Sequence, residues 1–140
     1  MIKNLYIKYK EIINYLIFGI LTTIVSLVTY YILVLTILNP NNPIQLQIAN
    51  IISWITCVTF AYITNRKYVF NSTNNNILKE IIKFYSSRLT TLFLEIIIMY
   101  IFVTKLNFND KIIKIIAQIT IILLNYIISK ILVFKKQVKN

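Results

Sequence analysis

Four apolar stretches dominate the chain, and each ends on a polar cluster. The first, Tyr15 to Leu38, stops at Asn39-Pro40-Asn41-Asn42-Pro43, a run of helix breakers and turn formers. The second covers about Leu46 to Thr64 and stops at Asn65-Arg66-Lys67. The third runs from about Phe84 to Thr104 and the fourth from Ile112 to Phe134. Between the second and third lie a polar segment, residues 71–76, and a short amphipathic stretch from Ile77 to Lys83. Each apolar stretch approaches or exceeds the roughly 20 residues a helix needs to cross a bilayer. The pattern predicts an all-α membrane protein with four transmembrane helices, over about 15–38, 46–64, 84–104 and 112–134. Together they make one transmembrane domain over residues 1–140.

Composition sharpens this. The mean hydropathy is +0.73 and 58% of residues are hydrophobic, yet the formal net charge is +11. A nucleic-acid-binding protein would supply the charge without the apolarity, so no nucleic-acid partner is expected. No charged side chain occurs anywhere from Ile12 to Asn65. Lys3, Lys8 and Lys10 precede the first apolar stretch, as in a signal peptide. That stretch is too long for one and lacks an A-x-A cleavage site, so it reads as a retained helix. Cys57 is the single cysteine, histidine is absent and Gly19 is the only glycine. These exclude an intrachain disulfide, the usual metal ligands and general base, and a glycine-rich phosphate loop. No enzyme activity and no cofactor are expected.

The cations set an orientation. Lys3, Lys8 and Lys10, then Arg66, Lys67, Lys79 and Lys83, then Lys135, Lys136 and Lys139 all fall on one side of a four-helix topology. Lys105, Lys111 and Lys114 fall on the other, offset in part by Asp110. The excess of Lys and Arg marks the cytoplasmic side, so both termini are expected there.

Residues 61–70 read AYITNRKYVF and residues 125–134 read NYIISKILVF, with Tyr, Ile, Val and Phe matched and Arg66 opposite Lys130. Leu21-Thr22-Thr23 also matches Leu89-Thr90-Thr91. Two parallel copies of a helical hairpin would produce this, related by an axis along the membrane normal. Chance likeness between helices rich in Ile and Tyr is the alternative.

The end of the second helix, Asn65-Arg66-Lys67-Tyr68-Val69-Phe70, resembles the signature of the GtrA-like family of small four-helix bacterial membrane proteins. The end of the fourth, Ser129-Lys130-Ile131-Leu132-Val133-Phe134, is similar to that family's C-terminal element, and Tyr15-Leu16-Ile17-Phe18-Gly19 to its first helix. The resemblance spans nearly the whole chain. It implies translocation of a polyprenyl-phosphate-linked sugar from the cytoplasmic to the outer leaflet of the cytoplasmic membrane. A separate membrane glycosyltransferase would then decorate O-antigen, teichoic acid or a related surface polymer. Relatives often carry an acid in the first helix, where this chain has Ser26, and an Arg in the fourth, where it has Lys130.

Several residues invite chemistry. Arg66 and Lys67 leave the second helix at the depth of a lipid phosphate, to which Arg offers two parallel donors. Snorkelling and topology-setting would explain them equally. Arg88 and Glu95 lie within the third span, seven residues apart and so on one face, with Thr91 between them. A charge near the bilayer centre costs about 2.5–3.5 kcal/mol on insertion scales, so Glu95 must face protein or water. It suits a headgroup pathway, a proton site or an ion pair with a neighbouring helix. Gln118, Asn125 and Ser129 share a face of the fourth helix, with Lys130 beside them. The lipid-phosphate candidates are thus Arg66, Lys67, Lys130 and Arg88, and the headgroup or proton candidates are Glu95, Thr91, Asn65 and Asn125. Gln118 reads more simply as a helix-to-helix bond. Small residues on the first helix (Gly19, Thr22, Ser26) and on the second (Ser53, Cys57, Ala61) read as packing stripes. Four short helices can hardly enclose a sugar, so a homo-oligomer is expected. Two other functions suit the sequence: a non-transporting subunit that orients a glycosyltransferase, and a small proton-coupled exporter.

Overall fold

The computed structural model describes the backbone of residues 2–134 and the side chains of residues 7–134. Lys135, Lys136 and Lys139, and the side chain of Lys3, lie outside the described residues. Within them the fold is all-helical: α1 (Ile2–Thr36), α2 (Pro43–Thr64), α3 (Ile77–Met99) and α4 (Asp110–Ile128). α2, α3 and α4 each pass without a break into a π-helical segment, at Asn65–Val69, Tyr100–Lys105 and Ser129–Val133. Four segments are long and apolar enough to cross a membrane: Ile7–Thr36, Pro43–Val69, Ile77–Lys105 and Asp110–Val133. The protein is a multi-pass membrane protein.

The helix limits have local causes. The turn-forming asparagines cap as well as break. Asn42 Oδ1 accepts from the backbone N–H groups of Ile44 and Gln45 at 3.0 and 3.3 Å, and Pro43 occupies the first helical position, where its missing N–H costs nothing. Asn109 does the same for α4, accepting from Lys111 and Ile112 at 3.0 and 3.3 Å. Asn76 caps α3 through Lys79 N–H at 3.2 Å. Each such cap contributes about 1 kcal/mol. Asn71 and Asn107 take positive φ, 48° and 54°, a conformation asparagine tolerates better than most residues. With no breaker between Asn76 and the third apolar stretch, Ile77–Lys83 is the first part of α3 rather than a separate element.

The chain divides between Asn71 and Ser72 into two compact units, each a helical hairpin. In the first, α1 packs on α2 and on the π segment that follows it. The face α2 buries is Ala49, Ser53, Val58, Ala61, Tyr62 and Thr64, mostly small residues. Such residues let backbones approach where lipid removes any hydrophobic drive for association. On the α1 stripe Thr22 and Ser26 are half-buried, but a Cβ on Gly19 would meet nothing within 4 Å, so Gly19 does not serve close packing. In the second unit, α3 buries Glu80, Phe84, Ser87 and Thr91 at intervals of four, three and four. α4 answers with Ile113, Ala117 and Ile121. Most large apolar side chains stay on the surface (Leu35 is 79% exposed), as lipid-facing residues must.

Candidate functional site

The two motif ends are the π segments. A π turn bonds each N–H to the carbonyl five residues back, and such turns recur at functional sites. Phe70 N donates to Asn65 O at 2.9 Å, and Phe134 N to Ser129 O at 2.8 Å. In the first unit, Asn65 is buried. Its Nδ2 donates to Ala61 O at 2.7 Å, while its Oδ1 is buried with no partner among the described residues. Val69 and Phe70 turn inward, Arg66 is half-buried, and Lys67 is exposed with Nζ 5.2 Å from the Tyr68 ring centroid. The turn is fastened to α1. Asn14 Nδ2 donates to Tyr68 O at 3.2 Å, Phe18 stacks on Tyr68 at 5.3 Å, and the Tyr15 ring meets Phe70 at 6.4 Å.

The second unit repeats this construction with different side chains. Lys83 Nζ donates to Leu132 O at 3.3 Å, and the next residue, Phe84, packs against Phe134 at 5.7 Å. Ser129 is fully buried, with Oγ unpartnered among the described residues, just as Asn65 Oδ1 is. The Arg88 guanidinium lies 4.7 Å above the Phe84 ring. Lys130, exposed, donates to Tyr126 Oη at 3.2 Å and sits 5.4 Å from that ring's centroid. Cation and ring stabilise each other by about 0.5–1 kcal/mol where exposed. Both cations are therefore held at the end where the chain enters and leaves the hairpin, here called its open end.

Further along this hairpin, Thr91 Oγ1 donates to Asn125 Oδ1 at 2.9 Å. Nearer the loop that joins α3 to α4, Glu95 Oε1 accepts both Lys114 Nζ and, at 2.9 Å, Gln118 Nε2. The structure thus joins Thr91 to Asn125, but it gives Glu95 to Lys114 and Gln118 rather than to Arg88, its neighbour on the same helix. Two contributors escape a reading of the sequence. Lys114 looks like a topology-setting surface charge, although an intramembrane acid calls for a cation within reach. Glu80, 1% exposed and bonded to Ser72 Oγ at 2.6 Å, looks like one charge in an amphipathic stretch. Its spacing from Phe84, Ser87 and Thr91 is the signal that marks it as inward-facing. No group of metal-ligating side chains occurs among the described residues.

Residues 14–134 match the model of the GtrA/DPMS transmembrane domain family. The chain belongs to the GtrA/DPMS family. Among GtrA/DPMS-type relatives, the membrane protein YwcD of Bacillus subtilis is 40% identical over 125 residues, covering 87% of this chain and 94% of YwcD. The cell wall teichoic acid glycosylation protein GtcA of Listeria monocytogenes serovar 1/2a is 35% identical over 131 residues, covering 91% of this chain and 87% of GtcA. Its counterpart in Listeria innocua is 35% identical over 128 residues, covering 89% and 85%. No solved structure matches this GtrA/DPMS chain.

Proposed function

We propose that the chain serves cell-surface glycosylation by moving a polyprenyl-phosphate-linked sugar across the cytoplasmic membrane. The family and the relatives named for teichoic acid glycosylation support the surface-glycosylation role. The observation that carries the transport reading is a series of polar groups along the second hairpin. It runs from Lys130 and Arg88, through Thr91 and Asn125, to Glu95, Gln118 and Lys114. From Lys130 to Lys114 the fourth helix rises about 24 Å at roughly 1.5 Å per residue, most of a hydrocarbon core about 30 Å thick. An isolated helix staple needs one polar pair. A headgroup that must exchange its hydrogen bonds step by step needs a succession of them, because each group left unpaired in hydrocarbon costs several kcal/mol.

In this reading both termini and both open ends are cytoplasmic, on the side where Lys and Arg concentrate. The matched construction of the two π turns supports two parallel copies of one hairpin. Arg66 and Lys67 on one copy, and Arg88 and Lys130 on the other, draw in the lipid phosphate, Arg by paired donors and Lys as a point charge. Thr91, Asn125 and Glu95 within the second hairpin, and Asn65 within the first, then meet the sugar. The protein acts as a carrier rather than an enzyme, and a membrane glycosyltransferase consumes the translocated lipid. A homo-oligomer supplies the enclosure that four helices lack.

Deleting the gene tests this in cells. The expected result is loss of the sugar from the surface polymer, with the lipid-linked sugar building up inside and the transferase still membrane-bound. Loss of the transferase from the membrane without that build-up would instead favour a subunit that only orients it.

A further inference from the structure

The cluster Glu95–Lys114–Gln118 is charged, lies within membrane-spanning helices, and leaves hydrogen-bonding capacity unused. Lys114 Nζ and Gln118 Nε2 converge on the same carboxylate oxygen, Oε1. Oε2 accepts nothing among the described residues, and it is not among the buried unpartnered atoms, so it remains reachable. The Lys114 side chain is 52% exposed and that of Glu95 15% exposed. An ammonium has three protons and a primary amide two, with one of each committed here. The Gln118 amide oxygen also accepts no hydrogen bond among the described residues.

A pair kept for stability alone would be closed. Glu95 lies well inside its span with its side chain only 15% exposed, where an ion pair repays its desolvation only when the carboxylate's remaining sites are filled. This cluster offers one free carboxylate oxygen, two spare ammonium protons, a spare amide proton and an amide oxygen on adjoining turns of two helices. Its position agrees with a reachable site. Lys114 lies about 6 Å along α4 from Asp110, and Glu95 about 15 Å from the end of the third span at Lys105, at roughly 1.5 Å per residue.

We infer that Glu95, Lys114 and Gln118 form a binding site for the hydroxyl groups of an uncharged sugar, near the loop end of the second hairpin. This rests on the transport reading above and names the headgroup chemistry it handles. A sugar hydroxyl both donates and accepts, so it can give its proton to Glu95 Oε2 while its oxygen takes one from Lys114 or Gln118. The phosphodiester of the lipid-linked sugar carries no proton to donate, and the Glu95 carboxylate would repel it. The site therefore reads the hydroxyls of the sugar rather than the phosphate to which the sugar is joined.

The test is binding by the full-length protein in nanodiscs, read by native mass spectrometry. The probes are decaprenyl phosphate and the same lipid carrying one glucose. The wild type should prefer the glucosylated lipid. Glu95→Gln should cut the ratio of the two affinities about tenfold, and Gln118→Leu, which keeps the ion pair, by about threefold. A wild type that binds both lipids equally, or variants that keep the wild-type ratio, would overturn the sugar site and leave phosphate binding standing. Binding of neither lipid by the wild type would overturn the transport reading together with the site. If Glu95→Gln fails to fold, Gln118→Leu decides by the same ratio.

Discussion

Replacing Asn125 by Leu separates a staple from a working residue, because the structure bounds what a staple is worth. Among the described residues, the one hydrogen bond that Asn125 makes to another residue's side chain is with Thr91, at 2.9 Å. Its loss does not strand the Thr91 hydroxyl, whose proton can turn to Ser87 O or Arg88 O, both 3.1 Å away on its own helix. Interhelical hydrogen bonds in membranes average about 0.6 kcal/mol and reach about 1.7. With the proton rehoused, the cost belongs at the lower value, about a threefold change in the folding equilibrium at 1.4 kcal/mol per decade. The leucine keeps the branching at Cγ, is larger at a position that is only half-buried, and adds no buried polar group. The amide Nδ2 makes no hydrogen bond among the described residues, so its two donors are available to a passing headgroup. Asn125→Leu should therefore lose at least tenfold in sugar transfer to the surface polymer. Reversible unfolding in mixed detergent micelles, read beside the polymer's sugar content, measures both quantities. Activity falling only threefold, in step with stability, would show that Asn125 is a staple and nothing more.

The other predictions concern the open ends. Phe84 is fully buried between Phe134 and the Arg88 guanidinium, so Phe84→Ala should destabilise by about 3 kcal/mol, seen as a lower unfolding midpoint, with Phe84→Leu closer to wild type. Arg66→Lys keeps the charge but loses the paired donors. It should cut transport several-fold, whereas Lys67→Arg should leave it within twofold in the same surface-sugar assay. Deleting Tyr68 removes the extra residue of the first π turn and rotates Val69 and Phe70 by about 100° from their buried positions. That variant should not accumulate as folded protein in membranes, whereas inserting one alanine after Asn74 should be tolerated, as measured by fluorescence-detected size exclusion.

Hydropathy makes the four helices legible, since a span must be apolar over its whole length whatever it packs against. Their ends are less so: Asn42, Asn76 and Asn109 set three helix starts through backbone groups two or three residues away, but α1 and α3 begin well ahead of their apolar stretches. The matched strings at residues 61–70 and 125–134 point at the right places, but not at the π turns. Nothing in Asn65-Arg66-Lys67 forbids an ordinary α-helical continuation; the fastening of Tyr68 and Phe70 to α1 accompanies the wider turn. Pairing across the hairpin is the least legible feature. Heptad spacing groups Arg88, Thr91 and Glu95 on one face, but only the register of α3 against α4 decides that Thr91 meets Asn125 while Glu95 meets Lys114. Glu80 is missed for a related reason: a carboxylate at the head of an amphipathic stretch reads as exposed until the helix proves continuous to Thr91.

Translocation itself is the central claim, and purified protein in liposomes tests it most directly. Decaprenyl phosphate carrying a labelled glucose is loaded into one leaflet, and its appearance in the other is followed with a membrane-impermeant glycosidase. A translocating protein makes exposure many-fold faster than in protein-free liposomes, and Asn125→Leu slows it. Exposure no faster than in protein-free liposomes would contradict translocation.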